Sequence, residues 1–252
     1  MGSLGDHLLL TTQTDHAALA SEILALWRLD GLPRSPRREA LVLAAREHDN
    51  GWREADSAPR RRGDGRPHDF MSIPPDLRRE IWHRGVRRHV ESRPLAALYI
   101  LEHALNLHRR RAGSPEWQPV LDDWRDLRGE LLKGAGIDPA TLAAEYRLLD
   151  AVDTLSLAVC AGWSRPGEHA GVRYRARLDA GGAELQLDPF PLAGATSFTL
   201  ACRLIEDRSY SGDVELAVEL ASARWLRLPV RIAALEAGRS GPAQDRGNSG
   251  IR

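Results

Sequence analysis

The sequence predicts a mostly α-helical fold with a small C-terminal antiparallel β-sheet lobe, α+β overall. Three observations predict it. Apolar residues recur at helical spacing through the first two-thirds of the chain, several of these segments start at proline, and from about residue 166 the period switches to two. With 252 residues, 42% of them hydrophobic, the chain can bury a sizeable core. The expected organisation is a helical domain over 1–165, a β lobe over 166–236 packed on it, and a disordered, Gly/Ser-rich tail over 237–252.

Taken in order, a first helix over Asp15 to Trp27 carries Leu19, Ile23 and Trp27 on one face, with Thr14 or Asp15 as its N-cap. "GLPRSP" breaks the chain. A second helix runs from about Pro36 to His48, with Ser35 as cap and Pro36 in the first turn. Asn50 to Pro75 has many Gly and Pro and no period, so it reads as a long ordered loop, a kind of segment that is often functional. Helices follow over Pro75 to Val90, Pro94 to Arg110, Pro115 to Leu132 and Pro139 to Gly162. "GVRYRARLDAGG", "AELQLDPFP", "SFTLACRLIED", "VELAVELAS" and "ARWLRLPVRIAAL" then read as short strands joined by turns.

Lys+Arg and Asp+Glu number 35 each, which argues against a uniformly basic nucleic-acid binder. Cys160 and Cys202 lie in apolar runs and read as buried thiols in a reducing cytoplasm rather than as a disulfide framework. The sequence shows neither a signal-peptide pattern nor an apolar run long enough to span a bilayer, so a soluble protein with no membrane partner is expected. There is no Gly-rich phosphate loop, no Cys-x-x-Cys pair and no Gly-x-Ser-x-Gly elbow.

The informative residues are polar groups on apolar helix faces. His16 is in line with Leu19, Ala20, Ile23 and Trp27. His48 follows Leu41, Ala44 and Ala45 at helical spacing, and Asp49 is adjacent to it. His103 shares a face with Tyr99, Ile100 and Leu107. Asp150 and Asp153 interrupt "YRLLDAVDTLSLAVC", a helix apolar nearly all round and therefore central. Any one of these has an ordinary explanation: a hydrogen-bonded core histidine, or an aspartate that starts the turn "DNG". Four helices with the same anomaly are harder to explain singly. A carboxylate in apolar surroundings must protonate, pair or bind a metal. A divalent cation would satisfy the set, and imidazole with carboxylate suits Mn, Fe, Zn, Co or Ni.

The order His16, His48-Asp49, Asp153 resembles the ligand pattern of the HD-domain superfamily of metal-dependent phosphohydrolases. The chain is also similar to a narrower bacterial family known as a domain of unknown function, through "DHAALA", "EHDNGW", "RPHDF", "SIP", "LEHALNL", "LLDAVDTLSLAVC" and "DPFP" over roughly Gln13 to Leu235. The resemblance implies an HD-like helical bundle holding one or two ions. Its ligands would be His16, His48, Asp49 and Asp153, with His103 next and His89 or His83 completing a second metal site.

That resemblance implies hydrolysis of a small phosphorylated or nucleotide substrate, with Asp49 bridging metals or positioning the nucleophile. Arg46, Arg53 and Arg66 are the candidate phosphate partners, and Trp52 and Phe70 either wall a pocket or pack the loop on the bundle. Two other readings stand beside it: a non-haem di-iron oxygenase using six such ligands, and a non-catalytic metal-binding sensor or scaffold. His7 and His169 are expected at the surface and His108 in solvent.

Overall fold

Thr12 marks the point where a strand becomes a helix. Its hydroxyl accepts from the Asp15 backbone N–H at 3.0 Å, an N-cap worth about 1 kcal/mol. The helix it starts, α1 (Gln13–Ala25), is one of eight among the described residues of this computed structural model, which are 2–28, 32 and 36–235. The others are α2 (Arg37–Glu47), α3 (Arg53–Ser57), α4 (Pro75–Arg87), α5 (Pro94–His108), α6 (Gln118–Ala135), α7 (Pro139–Cys160) and α8 (Asp213–Ser222). Proline fills the first turn of α4, α5, α6 and α7, where its missing N–H costs nothing. Ser35 and the tail beyond Leu235 lie outside the described residues.

The strands correct the expected fold class. Among the described residues there are seven: β1 (Gly2–Leu4), β2 (His7–Leu10), β3 (Gly167–His169), β4 (Val172–Asp179), β5 (Gly182–Asp188), β6 (Thr196–Glu206) and β7 (Trp225–Ala234). They form a single curled sheet of order β1-β2-β6-β7-β5-β4-β3. About 50% of the described residues are helical and 22% are in strands, so this is not a mostly helical, HD-like bundle with a small lobe. The sheet is mixed rather than antiparallel, because β5 and β7 run parallel, with Leu185 opposite Ile232. Residues 2–10, to which the sequence assigned no element, form a hairpin whose β2 pairs with β6, Leu8 opposite Ile205.

"VELAVELAS" is helix α8, not a strand. Its alternation of Val and Leu imitates a strand, but Leu216 and Leu220 stand four apart and pack together on Ile205 and Tyr210. Asp213 and Glu215 in the first turn favour the helix dipole, and Val214 and Val218 are left exposed. The expected loop from Asn50 to Pro75 also begins with structure, a 3-10 turn over Asn50–Trp52 followed by α3.

One face of the sheet presents Val172, Ala176, Leu185, Leu187, Leu200, Val230 and Ile232 to α1 and α7, and these join the main core. The central helix α7 is buried along most of its length. No helix among the described residues is long and apolar enough to cross a membrane.

Candidate metal centre

Four helical segments place their polar residues at one point. His16 comes from α1, Asp153 from α7, His103 from α5, and the pair His48–Asp49 from the end of α2. All five are buried, each with less than 10% of its surface exposed. His16 Nε2 lies 2.8 Å from Asp49 Oδ2. His48 Nε2 lies 3.2 Å from Asp153 Oδ1 and 3.6 Å from Asp49 Oδ2. His103 Nε2 lies 3.8 Å from Asp153 Oδ2. Two ligands about 2.1 Å from one ion and at right angles stand about 3.0 Å apart, so these separations suit donors that share a cation. The atoms fall into two overlapping groups, His16–His48–Asp49 and His48–His103–Asp153, with ligand atoms within 4.8 Å of one another.

Hydrogen bonds on the far side of each ring set its orientation. His48 Nδ1 donates to the Ala45 carbonyl at 2.8 Å, which leaves Nε2 as the nitrogen facing the carboxylates. That nitrogen is buried and has no hydrogen-bond partner. Ser156 gives its only proton to the Asp153 carbonyl at 2.9 Å, so toward His16 its oxygen accepts, from Nδ1 at 3.0 Å. His16 Nε2 therefore faces Asp49. His103 Nδ1 is 3.2 Å from the Tyr146 hydroxyl, which itself donates to Asp150. These partners are of the kind that fix metal-bound imidazoles.

Burial and the neighbouring charges oppose one another across the cluster. Burial opposes a charge on His48, but Asp49 and Asp153 outweigh it and push its pKa up to about 9. Burial also acts against ionised Asp153, yet His48, His103 and His16 hold it below the usual carboxylate range. Burial holds His103 down at about 4, neutral at physiological pH. A divalent ion would replace the proton that His48 otherwise carries.

The site opens onto a cleft lined by Gln13, Trp52, Phe70, Trp82 and His108, along with Asp49, His103 and Asp153. Trp52 and Phe70 thus stand beside the cluster, and both also line a second cavity that contains Asp56 and His68. His83 is exposed, and His89 pairs with Glu47 at 3.2 Å; neither joins the cluster. Arg46 is exposed on the far face of α2, Arg53 pairs with Glu47 and Arg66 with Asp207, so none of the three lines the cleft.

Two guanidinium groups do line it, Arg78 and Arg111, which the sequence reading passed over. His108 is another departure. It is 3% exposed and stacks on Trp117 at 4.5 Å, its Nδ1 donating to the Ala104 carbonyl. The Trp117 ring that covers it belongs to another element, so helix periodicity could not reveal this burial. His169 Nε2 meets Asp150 at 2.6 Å.

The family described as "Protein of unknown function (DUF3891)" matches residues 2–207. The chain belongs to that family. The DUF3891 match takes in the N-terminal hairpin, all five cluster residues and both cleft arginines, and it ends before α8 and β7. Among curated proteins and solved structures, none matches the chain.

Proposed function

We propose that the chain is a metal-dependent phosphohydrolase acting on a small phosphorylated substrate. The observation that carries this reading is His48 Nε2, a buried ring nitrogen with no hydrogen-bond partner, turned toward two carboxylates. His16, Asp49, His103 and Asp153 complete a donor set of imidazole nitrogen and carboxylate oxygen, which fits Mn, Fe, Zn, Co or Ni. The ligand order His16, His48-Asp49, Asp153 is also that of HD-domain phosphohydrolases. When bound, such an ion polarises a phosphoryl oxygen and lowers the pKa of a coordinated water. Asp49, at the junction of cluster and cleft, would help to hold the ion and to orient the nucleophile, and Trp52, Phe70 and Trp82, which line the cleft, would flank the rest of the substrate. Two free, buried thiols fit a reducing cytoplasm.

The six-ligand di-iron reading is one ligand short, since His83 and His89 stand away from the cluster. The test is elemental analysis of protein purified without a histidine tag, then a panel of phosphomonoesters and phosphodiesters. One equivalent of Mn, Zn, Co or Ni with turnover is expected, and His48→Ala and Asp49→Ala should each lose metal and activity while staying folded. Unchanged metal content in both variants would refute the site, and two irons without phosphatase activity would refute the reaction.

A further inference from the structure

Arg78 lies on α4, and Arg111 ends the short 3-10 turn that follows α5. Both line the cleft beside His103 and Asp153, and both are half-buried. Each is tethered in place. Arg78 donates from Nη2 to the Met71 carbonyl at 3.1 Å, and the Arg111 guanidinium carbon stands 5.0 Å from the centre of the Trp117 ring. Neither forms an ion pair among the described residues. Asp69 is near enough for its charge to favour the cation on Arg78 without forming an ion pair with it, and its Oδ1 accepts from the Ser72 hydroxyl and from the backbone N–H groups of Met71 and Ser72.

The pair therefore presents two positive charges to one partly desolvated cleft. Burial and the nearness of Arg111 both work against the charge on Arg78. His108 beside them is held neutral, its pKa pushed down to about 4 by burial and by both guanidinium groups. Like charges held close together, away from bulk water, are costly unless an anion joins them. The planar guanidinium fork matches the oxygens of phosphate, two N–H groups to two oxygens.

We propose that Arg78 and Arg111 form a dianion-binding subsite that takes the phosphate group of a phosphomonoester. The apolar side chains Met71 and Leu107, exposed at the same cleft, would flank the organic part of the ester. This deepens the phosphohydrolase reading and rests on it for the claim that the bound phosphate is the group that reacts.

The test titrates metal-free, tag-free protein with inorganic phosphate by calorimetry at about pH 8, where phosphate is mostly a dianion. The wild type should bind it. Arg78→Gln and Arg111→Gln should each weaken binding by about tenfold or more, and the double variant should lose it. Arg111→Lys, which keeps the charge without the fork, should fall between wild type and Arg111→Gln. Thermal unfolding of each variant shows that it is folded. Phenyl phosphate, a monoester, should bind as tightly as free phosphate or better, which separates an ester site from a site for the free ion. Equal phosphate affinity in wild type and both Gln variants would overturn the subsite, as would the absence of binding at millimolar phosphate. Phosphate binding through both arginines, with no ester turned over by the metal-loaded protein, would support the subsite and refute the hydrolase.

Discussion

Gly51 sits where the turn after the His48–Asp49 pair meets α4, and replacing it with alanine should separate the two. A Cβ added at Gly51 would lie 2.1 Å from the Ile81 carbonyl oxygen and 3.1 Å from the Gly85 Cα. Real Cβ contacts do not fall below 3.0 Å, so the approach is short by 0.9 Å (3.0 minus 2.1), and both obstacles are backbone. The turn would have to lift off α4 by about that much. Three hydrogen bonds that staple it there would stretch: Asn50 Nδ2 to the Gly85 carbonyl, Arg84 to the Gly51 carbonyl, and Arg88 to the Asn50 carbonyl. Overpacking alone costs about 1–3 kcal/mol. Each lost hydrogen bond adds about 1 kcal/mol, so with all three lost Gly51→Ala should destabilise by about 4–6 kcal/mol. Asp49 adjoins the displaced turn, so metal affinity should fall as well. Two other glycines grade the effect. At Gly85 the nearest atom is 3.3 Å away, so Gly85→Ala should stay within about 1 kcal/mol of wild type, the crowding partly offset by the better helix former. At Gly129, exposed on α6 with nothing within 4 Å, alanine should stabilise by about 1 kcal/mol. Urea unfolding of the three variants measures the series, and competition with a chromophoric chelator measures the metal. A Gly51→Ala protein as stable as wild type would refute the close-approach argument.

Two further outcomes follow from buried titratable groups away from the cluster. Burial raises Asp56 to about 7, against the Gln13 backbone N–H that it accepts at 2.8 Å, with the charges of Asp49 and Asp15 adding to the rise. A carboxyl whose folded pKa exceeds its unfolded one contributes stability that is complete below the unfolded value and is lost as pH rises through the folded one. Metal-free protein should therefore lose stability between about pH 4 and pH 7 through this group. The shift would cap the loss at about 4 kcal/mol, and the partial solvent contact of Asp56 brings it to about 1–2 kcal/mol. Asp56→Asn keeps an acceptor for Gln13, so its melting temperature should overtake that of wild type as pH rises; parallel curves would refute the assignment. Cys160 and Cys202 are both buried, and burial pushes the Cys160 thiol up to about 12. A thiol-specific chromogenic disulfide should therefore label neither in native protein and both in denaturant; rapid native labelling would contradict their burial.

The two halves of the molecule were not equally legible in the sequence. The helices announce themselves, because proline opens four of them and their apolar faces repeat locally. The buried His/Asp cluster is legible for a related reason. His16, His103 and Asp153 are polar groups on stripes that should be apolar, and the cost of burying them points to a shared partner. The sheet is less readable because its signals lie far apart. "SLGDHLLL" is short and ambiguous alone, and becomes a hairpin against β6, about two hundred residues later. In α8 two periodicities compete, and only the contact of Leu216 with Ile205 and Tyr210 decides between them. The cleft arginines are hidden for a similar reason. Arg78 and Arg111 look like two more charges in an Arg-rich chain until tertiary structure turns both to the same space.

The position of β7 in the sheet bears on how the protein reaches its native state. It is the last strand among the described residues, yet it lies between β6 and β5. Until residues 225–234 emerge from the ribosome, β1-β2-β6 and β5-β4-β3 share no strand that could join them. Both fragments must wait with unpaired edges, and edges left open during synthesis invite pairing with other chains. The helices, built from local contacts, can form much earlier. Biogenesis should therefore be most vulnerable in this interval, and premature termination before Trp225 should yield aggregates rather than a smaller folded protein.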